Sequence, residues 1–391
     1  MKRAAAALLL VLAGGCAYMP DMPKPPSWGD TLPSWVPFTR DEKLRPMKLG
    51  EIESRVAPKV RWQASVGKSG GYRFFPVVEA NKVVTAANDG TVTVLEQDSG
   101  KQVTRVDTGL KLAAGVGYAD GRLVVVSVKG EVLAYDNTGK EAWRMPVAGE
   151  VLAPPAIAAG VVVLRTSDGR VFALNASDGK RKWLYQRTSP VLTLRSEAGV
   201  VATRTEVVAG YPGGKLIALD IQDGKLTWEA TLAVPRGATE LERISDVGGV
   251  PLIEDGRICA ASYQGKIACF EIASSNLIWS REISSAHSIA GDKRYFFASD
   301  VEGNVVALDR NSGANVWKQD KLLRRKLTAP VVSNGSVVVG DVEGFLHVIS
   351  PEDGAMIGRF ATDGTAINVI VPVGDGILVQ TAGGNLYSIS L

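Results

Sequence analysis

The chain repeats itself at a period near 40 residues, which limits it to folds that place a small unit around a ring or along a line. Eight glycines mark the units: Gly90, Gly130, Gly169, Gly214, Gly265, Gly303, Gly344 and Gly384. Their successive separations are 40, 39, 45, 51, 38, 41 and 40 residues. One unit reads TSDGRVFALNASDGKRKW over 166–183, another SDVEGNVVALDRNSGANVW over 299–317. Each has an apolar run such as 161–164, then a tight turn at the anchor, where glycine tolerates positive φ. A second apolar run such as 171–174 follows, and a second turn, 177–180, leads to a strand that carries Trp183. Pro76, Pro155, Pro251 and Pro330 each stand 14 residues before an anchor and open one further strand. Four short antiparallel strands per unit make a propeller blade, so the spacing predicts an all-β, eight-bladed β-propeller.

The tryptophans follow the same period. Trp183, Trp228, Trp279 and Trp317 fall 14 residues after their anchors, and Trp143 falls 13 after. Val103 and Ile357 take roughly this place in the first and seventh units. A large apolar side chain recurring once per blade is expected to fill the gap between neighbouring blades. The last unit stops at Leu391, before its fourth strand, whereas 60–64 looks like a Trp-bearing strand with no blade of its own. The N-terminal strand is therefore expected to complete the eighth blade and close the ring, which removes open sheet edges.

Residues 1–16 read MKRAAAALLLVLAGGC. Lys2 and Arg3 precede an apolar run, 4–13, too short to span a bilayer core of about 30 Å. Small residues then lead into Cys16. The pattern resembles a bacterial lipoprotein signal, with Ala13 where such signals usually carry Leu. The resemblance implies a signal peptide over 1–15, a lipidated Cys16 and, with Ala17 rather than Asp following, the periplasmic face of the outer membrane. Residues 17–37 contain Pro20, Pro23, Pro25, Pro26, Pro33 and Pro37, which neither a helix nor a sheet ladder accommodates. Residues 16–50 read as an extended tether and 51–391 as the propeller. The formal charge of +3, mostly from Lys2 and Arg3, argues against a nucleic-acid partner. Two His and three Cys are poor material for a His-based catalytic or metal centre, or for a disulfide scaffold.

The AxDGxVxALDxxxGKxxW unit resembles the repeat of the pyrroloquinoline-quinone (PQQ) dehydrogenases. With a lipoprotein signal, a Pro-rich tether and little beyond the blades, the whole chain resembles the BamB family, propeller lipoproteins of the outer-membrane β-barrel assembly machinery. Two segments carry the resemblance further: SPVLTLR, 189–195, and ERISDVGGVP, 242–251. It implies a scaffold with no cofactor, whose Leu192, Leu194 and Arg195 contact the polypeptide-transport-associated domains of BamA. An acidic pair in the second segment maps onto Asp246 and Gly248, of which only Asp246 is acidic here. Spacing points to the same places. The long intervals, 45 and 51, put extra residues on both sides of the fourth blade, and insertions on a regular scaffold are where binding function collects. Such a scaffold could orient BamA, offer a sheet edge to unfolded outer-membrane protein strands, or bridge neighbouring complexes.

Two other function classes compete with a scaffold. A PQQ-dependent dehydrogenase needs a Ca²⁺ held by carboxylate and amide oxygens, a carboxylate base and a roofed cofactor pocket. The Asp-Gly pairs here recur as turns, and no insertion is long enough for a roof. A propeller serving another envelope complex is the third class. His287 and His347 read as ordinary loop or strand residues. Lys321, Arg324, Arg325 and Lys326 read as a solvated loop or as a contact with anionic lipid. Cys259 and Cys269 flank the turn 263–265. If this is a three-residue loop with Gly265 left-handed, Ser262 pairs with Lys266 and the two Cys face each other at about 4.5–5.5 Å. That separation suits a disulfide in an oxidising compartment; a two-residue loop puts them out of register, and two buried free thiols are the alternative.

Overall fold

Apolar runs too short for helices, bounded by glycine turns, have one stable outcome: strands paired with their sequence neighbours. The computed structural model describes residues 45–188 and 190–391. The signal segment, Cys16 and nearly all of the Pro-rich stretch lie outside the described residues. Within Pro46–Leu391, 32 strands form eight four-stranded antiparallel sheets. Seven blades use four consecutive strands. The third, for example, comprises Ala156–Ala158, Val161–Arg165, Val171–Asn175 and Arg181–Tyr185. The eighth joins Ile367–Val373, Gly376–Thr381 and Asn385–Ser390 to the N-terminal Lys59–Ser65, with Trp62 opposite Ser388. The fold is an eight-bladed β-propeller closed by its N-terminal strand.

The core lies between blades. Both middle strands of a blade are covered on each face, so they read as continuous apolar runs, and all of Val161–Arg165 is buried. Val161, Val163 and Ala173 of the third blade pack on Val207, Ala209 and Ile217 of the fourth. The outer strand carries the Trp, which reaches across to the next blade. Trp143, Trp183, Trp279 and Trp317 donate their Nε1–H to the carbonyls of Ala176, Ile221, Arg310 and Pro351 at 2.8–3.1 Å. Each ring lies over the glycine of that carbonyl's turn: a Cβ on Gly313 would stand 2.4 Å from Trp279. Trp62 does the same to the first blade, through Gln97 and Gly100, so the closing strand is locked like any other.

Several expectations need correction. The Trp position in the first blade is occupied by Thr104, opposite Val94, while Val103 falls on the bulge and is 47% exposed. In the seventh blade Gly358, opposite Val348, occupies it, and Ile357 lies on the bulge. The vacated space is filled from elsewhere. The backbone N–H groups of Arg55 and Val56 donate to the Ile357 carbonyl, and the Val56 side chain packs beside Ile357 and Phe360. The eighth blade has no turn between its last two strands on which a Trp could rest, because Asn385–Ser390 and Lys59–Ser65 are not consecutive in the sequence.

The stretch 46–56 is thus a strap on the propeller. Met47 N–H donates to the Leu323 carbonyl at 3.0 Å, and Arg359 Nη1 donates to the Gly50 carbonyl at 3.0 Å. Arg325, expected in a solvated loop, is 1% exposed. Its Nε donates to Asp341 at 2.6 Å and its Nη1 to the Met47 carbonyl at 2.7 Å. His347, expected to be an ordinary residue, is fully buried with Nε2 2.8 Å from the same carboxylate.

Candidate functional site

The two insertions meet. The first joins Arg181–Tyr185 to Val200–Ala202 and the second joins Leu226–Thr231 to Leu252–Glu254. Leu192 is 40% exposed and its neighbour Val191 is 88% exposed. Leu194 is half-buried and Arg195 exposed. The Arg195 guanidinium forms a two-pronged contact with Glu150, at 2.7 and 3.1 Å, and lies over the Tyr72 ring at 5.8 Å. The hydrogen bond to Glu150 raises its pKa further, so it presents a fixed positive fork at every physiological pH. Arginine is one of the residue types enriched at binding hot spots.

Asp246 does not share that surface. It is 3% exposed and accepts from Leu194 N–H at 2.6 Å and Gly213 N–H at 2.9 Å. Burial raises its pKa, against the two backbone donors and the Arg165 charge that lower it. The expectation of a direct partner contact at Asp246 is therefore corrected: it braces the first insertion from the second. Gly248 cannot carry the second acidic side chain at all. A Cβ there would stand 2.6 Å from the Ala286 carbonyl oxygen, because the backbone is pressed against 286–288.

Beside this surface a cavity of ≈ 180 Å³ opens, lined by Arg73, Leu194, Arg195, Glu197, Gly249 and His287 among others. Arg73 and Glu197 pair across it at 2.9 Å. Burial pushes the Glu197 pKa up, and Arg73 works against that. Burial and the Arg73 charge hold His287 down at about 4, hence neutral. Pockets that enclose a cofactor usually measure about 300–1,000 Å³. This one is smaller, and both of its arginines are already held by carboxylates. The residues present do not fit a quinone carrying three carboxylates.

Sequence reasoning missed Tyr72, Arg73, Glu150, Glu197 and the buried Arg165. One signal was available for Arg165. It stands four residues before its anchor, where other blades carry uncharged residues such as Ala86, Ala261 and Ser299.

Away from the site, Cys259 pairs directly with Cys269, and a disulfide joins them across a Cα–Cα distance of 4.1 Å. Ser262 N–H bonds to the Lys266 carbonyl, so alternation makes 259/269 a non-hydrogen-bonded pair, the closer kind. The loop is 263–265, but its left-handed residue is Gln264, φ 47°, rather than Gly265. Glycine is needed at 265 for space, since a Cβ would stand 2.1 Å from Ser262 Oγ.

A closed eight-bladed ring of four-stranded antiparallel blades, with two blade-joining insertions tied together through Asp246, defines a β-propeller. The family model described as outer membrane protein assembly factor BamB matches residues 88–319 and 301–391. An outer membrane protein assembly factor BamB from Nitrosomonas eutropha is 39% identical over 386 residues, 98% of this chain and 93% of that one. The crystal structure of BamB from Moraxella catarrhalis superposes with a TM-score of 0.80 at 25% identity, covering 85% of this chain and 100% of that one. Quinohemoprotein alcohol dehydrogenase from Comamonas testosteroni shares the fold, with a TM-score of 0.69 at 12% identity over 85% of this chain and 76% of that one. The chain belongs to the BamB family of outer membrane protein assembly factors.

Proposed function

We propose that this chain is a non-catalytic lipoprotein scaffold of the outer-membrane β-barrel assembly complex. It binds the polypeptide-transport-associated domains of BamA and assists folding and insertion of outer-membrane proteins. Cys16 carries the lipid that holds it on the periplasmic face. The observation that carries the reading is the bond from Leu194 N–H to Asp246. It ties the two insertions into one surface, from which Leu192 and Arg195 project. Leu192 supplies apolar contact, Leu194 a half-buried shoulder, and Arg195 an exposed positive charge that Glu150 holds in place. The whole-length similarity to outer membrane protein assembly factors supports this reading over a dehydrogenase.

The test is co-purification of BamA with a Leu192→Ala, Arg195→Ala variant of the full chain. Hot-spot residues are worth at least about 2 kcal/mol each, so capture should fall at least tenfold while thermal unfolding stays within about 1 °C, as surface substitutions do. Retained capture would refute the surface. A large loss of stability would show these side chains to be core.

A further inference from the structure

Beneath the same surface lies a cation that the repeat does not require. Arg165 ends the strand Val161–Arg165 and is 5% exposed. Its Nη1 donates to the Ala198 carbonyl at 3.1 Å, and its guanidinium lies 5.8 Å from the Tyr211 ring centroid. Its Nε has no acceptor among the described residues, and the buried hydroxyls of Tyr211 and Ser245 likewise lack partners. A charge buried this incompletely is strongly unfavourable unless another charge answers it. Burial opposes the charged guanidinium, and the nearby Tyr211, Asp246 and Asp168 favour it, Asp246 itself being buried. Arg165 grips the inner end of the segment 192–198 at Ala198, and Asp246 grips its outer end at Leu194. One grip comes from the third blade and the other from the second insertion. A segment with no strand partner of its own is thus fixed at both ends by buried groups of opposite sign.

We propose that Arg165 is a positioning residue for the partner-binding loop, acting with Asp246 to hold 192–198 in the one arrangement that presents Leu192, Leu194 and Arg195 together. The proposal rests on the reading that this surface binds BamA. Ordering the loop in advance removes a conformational cost that binding would otherwise bear.

The experiment measures amide hydrogen exchange and BamA binding on the full chain. Arg165→Met, which keeps most of the stem, should speed exchange over 192–198 at least tenfold and weaken BamA binding at least tenfold. Strands Val161–Arg165 and Val171–Asn175 should keep wild-type protection. Asp246→Asn should give the same loop pattern, and Arg165→Lys, which restores the charge without the fork, should recover part of the binding. Unchanged loop exchange in Arg165→Met overturns the clamp. Faster loop exchange with unchanged binding overturns its role in recognition. Equal loss of protection in the strands shows that Arg165 supports the blade rather than the loop. Should Arg165→Met not fold, Arg165→Lys and Asp246→Asn decide the same questions. Retained BamA binding by Leu192→Ala, Arg195→Ala overturns the surface itself and the partner role with it, whereas the exchange result judges the clamp alone.

Discussion

Replacing Gly313 by Ala tests how the blades are joined. Gly313 has φ +65°, and a Cβ there would stand 2.4 Å from the Trp279 ring. A left-handed conformation costs an L-residue about 1–2 kcal/mol. To relieve the contact Trp279, now 5% exposed, must leave its seat. It then loses the Nε1–H bond to the Arg310 carbonyl, worth about 1 kcal/mol. Disturbing the packed layer around Phe296 adds about 1–3 kcal/mol, so the total is about 3–6 kcal/mol. The control is Gly335→Ala. Its φ is +68°, but no atom lies within 4 Å of the added Cβ, so only the backbone cost of about 1–2 kcal/mol applies. Urea unfolding followed by circular dichroism and Trp fluorescence should separate the two variants by about 2–4 kcal/mol. Adding Trp279→Phe to Gly313→Ala should be less than additive, because the smaller ring leaves room. Equal losses from Gly313→Ala and Gly335→Ala would refute the account of the Trp–Gly contact as the blade-to-blade lock.

Other expectations can be checked as directly. The folded pKa of His287, about 4, lies below its ordinary value of 6.5. The unfolded chain therefore takes up the proton first, and stability falls as pH drops from about 6.5 toward 4. His287→Gln should lose less stability between about pH 7.5 and 5 than the wild type, measured by urea midpoints, and an identical loss would remove His287 as the cause. Denatured, unreduced protein from the periplasm should show no alkylation at Cys259 or Cys269 by intact mass, and two alkylated thiols there would mean the pair is not joined. Cys16→Ser should give a folded protein that no longer fractionates with outer membranes; unchanged fractionation with no lipid detected by mass would defeat the anchor.

The blade count, the strand order and the closing strand were legible because each unit repeats the same local chemistry at a nearly fixed interval. Leu192, Leu194 and Arg195 were legible only as an insertion and a resemblance. What the sequence concealed depends on contacts between distant units. Glu150, which orients Arg195, is 45 residues away from it. Asp246, which looks like a surface acid, is buried because Leu194 and Gly213 bring their N–H groups to it. Arg325 stands in a run of cations that reads as a solvated loop, yet it faces inward to Asp341 and the strap at Met47. Residue type and neighbours gave no means of separating it from Lys321 and Lys326, both exposed.

Several departures from the repeat gather around the fourth and fifth blades, and their positions explain one another. Each Trp needs a glycine in the next blade's turn. The fifth blade instead has Ser275 at that place, with φ 62°. Trp228 accordingly has no seat: it meets Phe270 edge-on at 6.1 Å, and its Nε1 has no acceptor among the described residues. The interface between the fourth and fifth blades is thus one where a tryptophan is present but unseated, whereas the first and seventh blades carry Thr104 and Gly358 in its place. It is also the interface spanned by the longer insertion, whose Asp246 reaches back to the fourth blade at Gly213 and to the first insertion at Leu194. In the fifth blade, moreover, the turn at 263–265 departs from the other anchors and the Cys259–Cys269 bridge crosses the middle strands. A ring of equal blades has no intrinsic reason to bind at one place. Here the joint that gives up the repeated contact is held instead by inserted segments, and those same segments carry the exposed Leu192 and Arg195. Supporting the joint and exposing Leu192 and Arg195 are then two consequences of one pair of insertions.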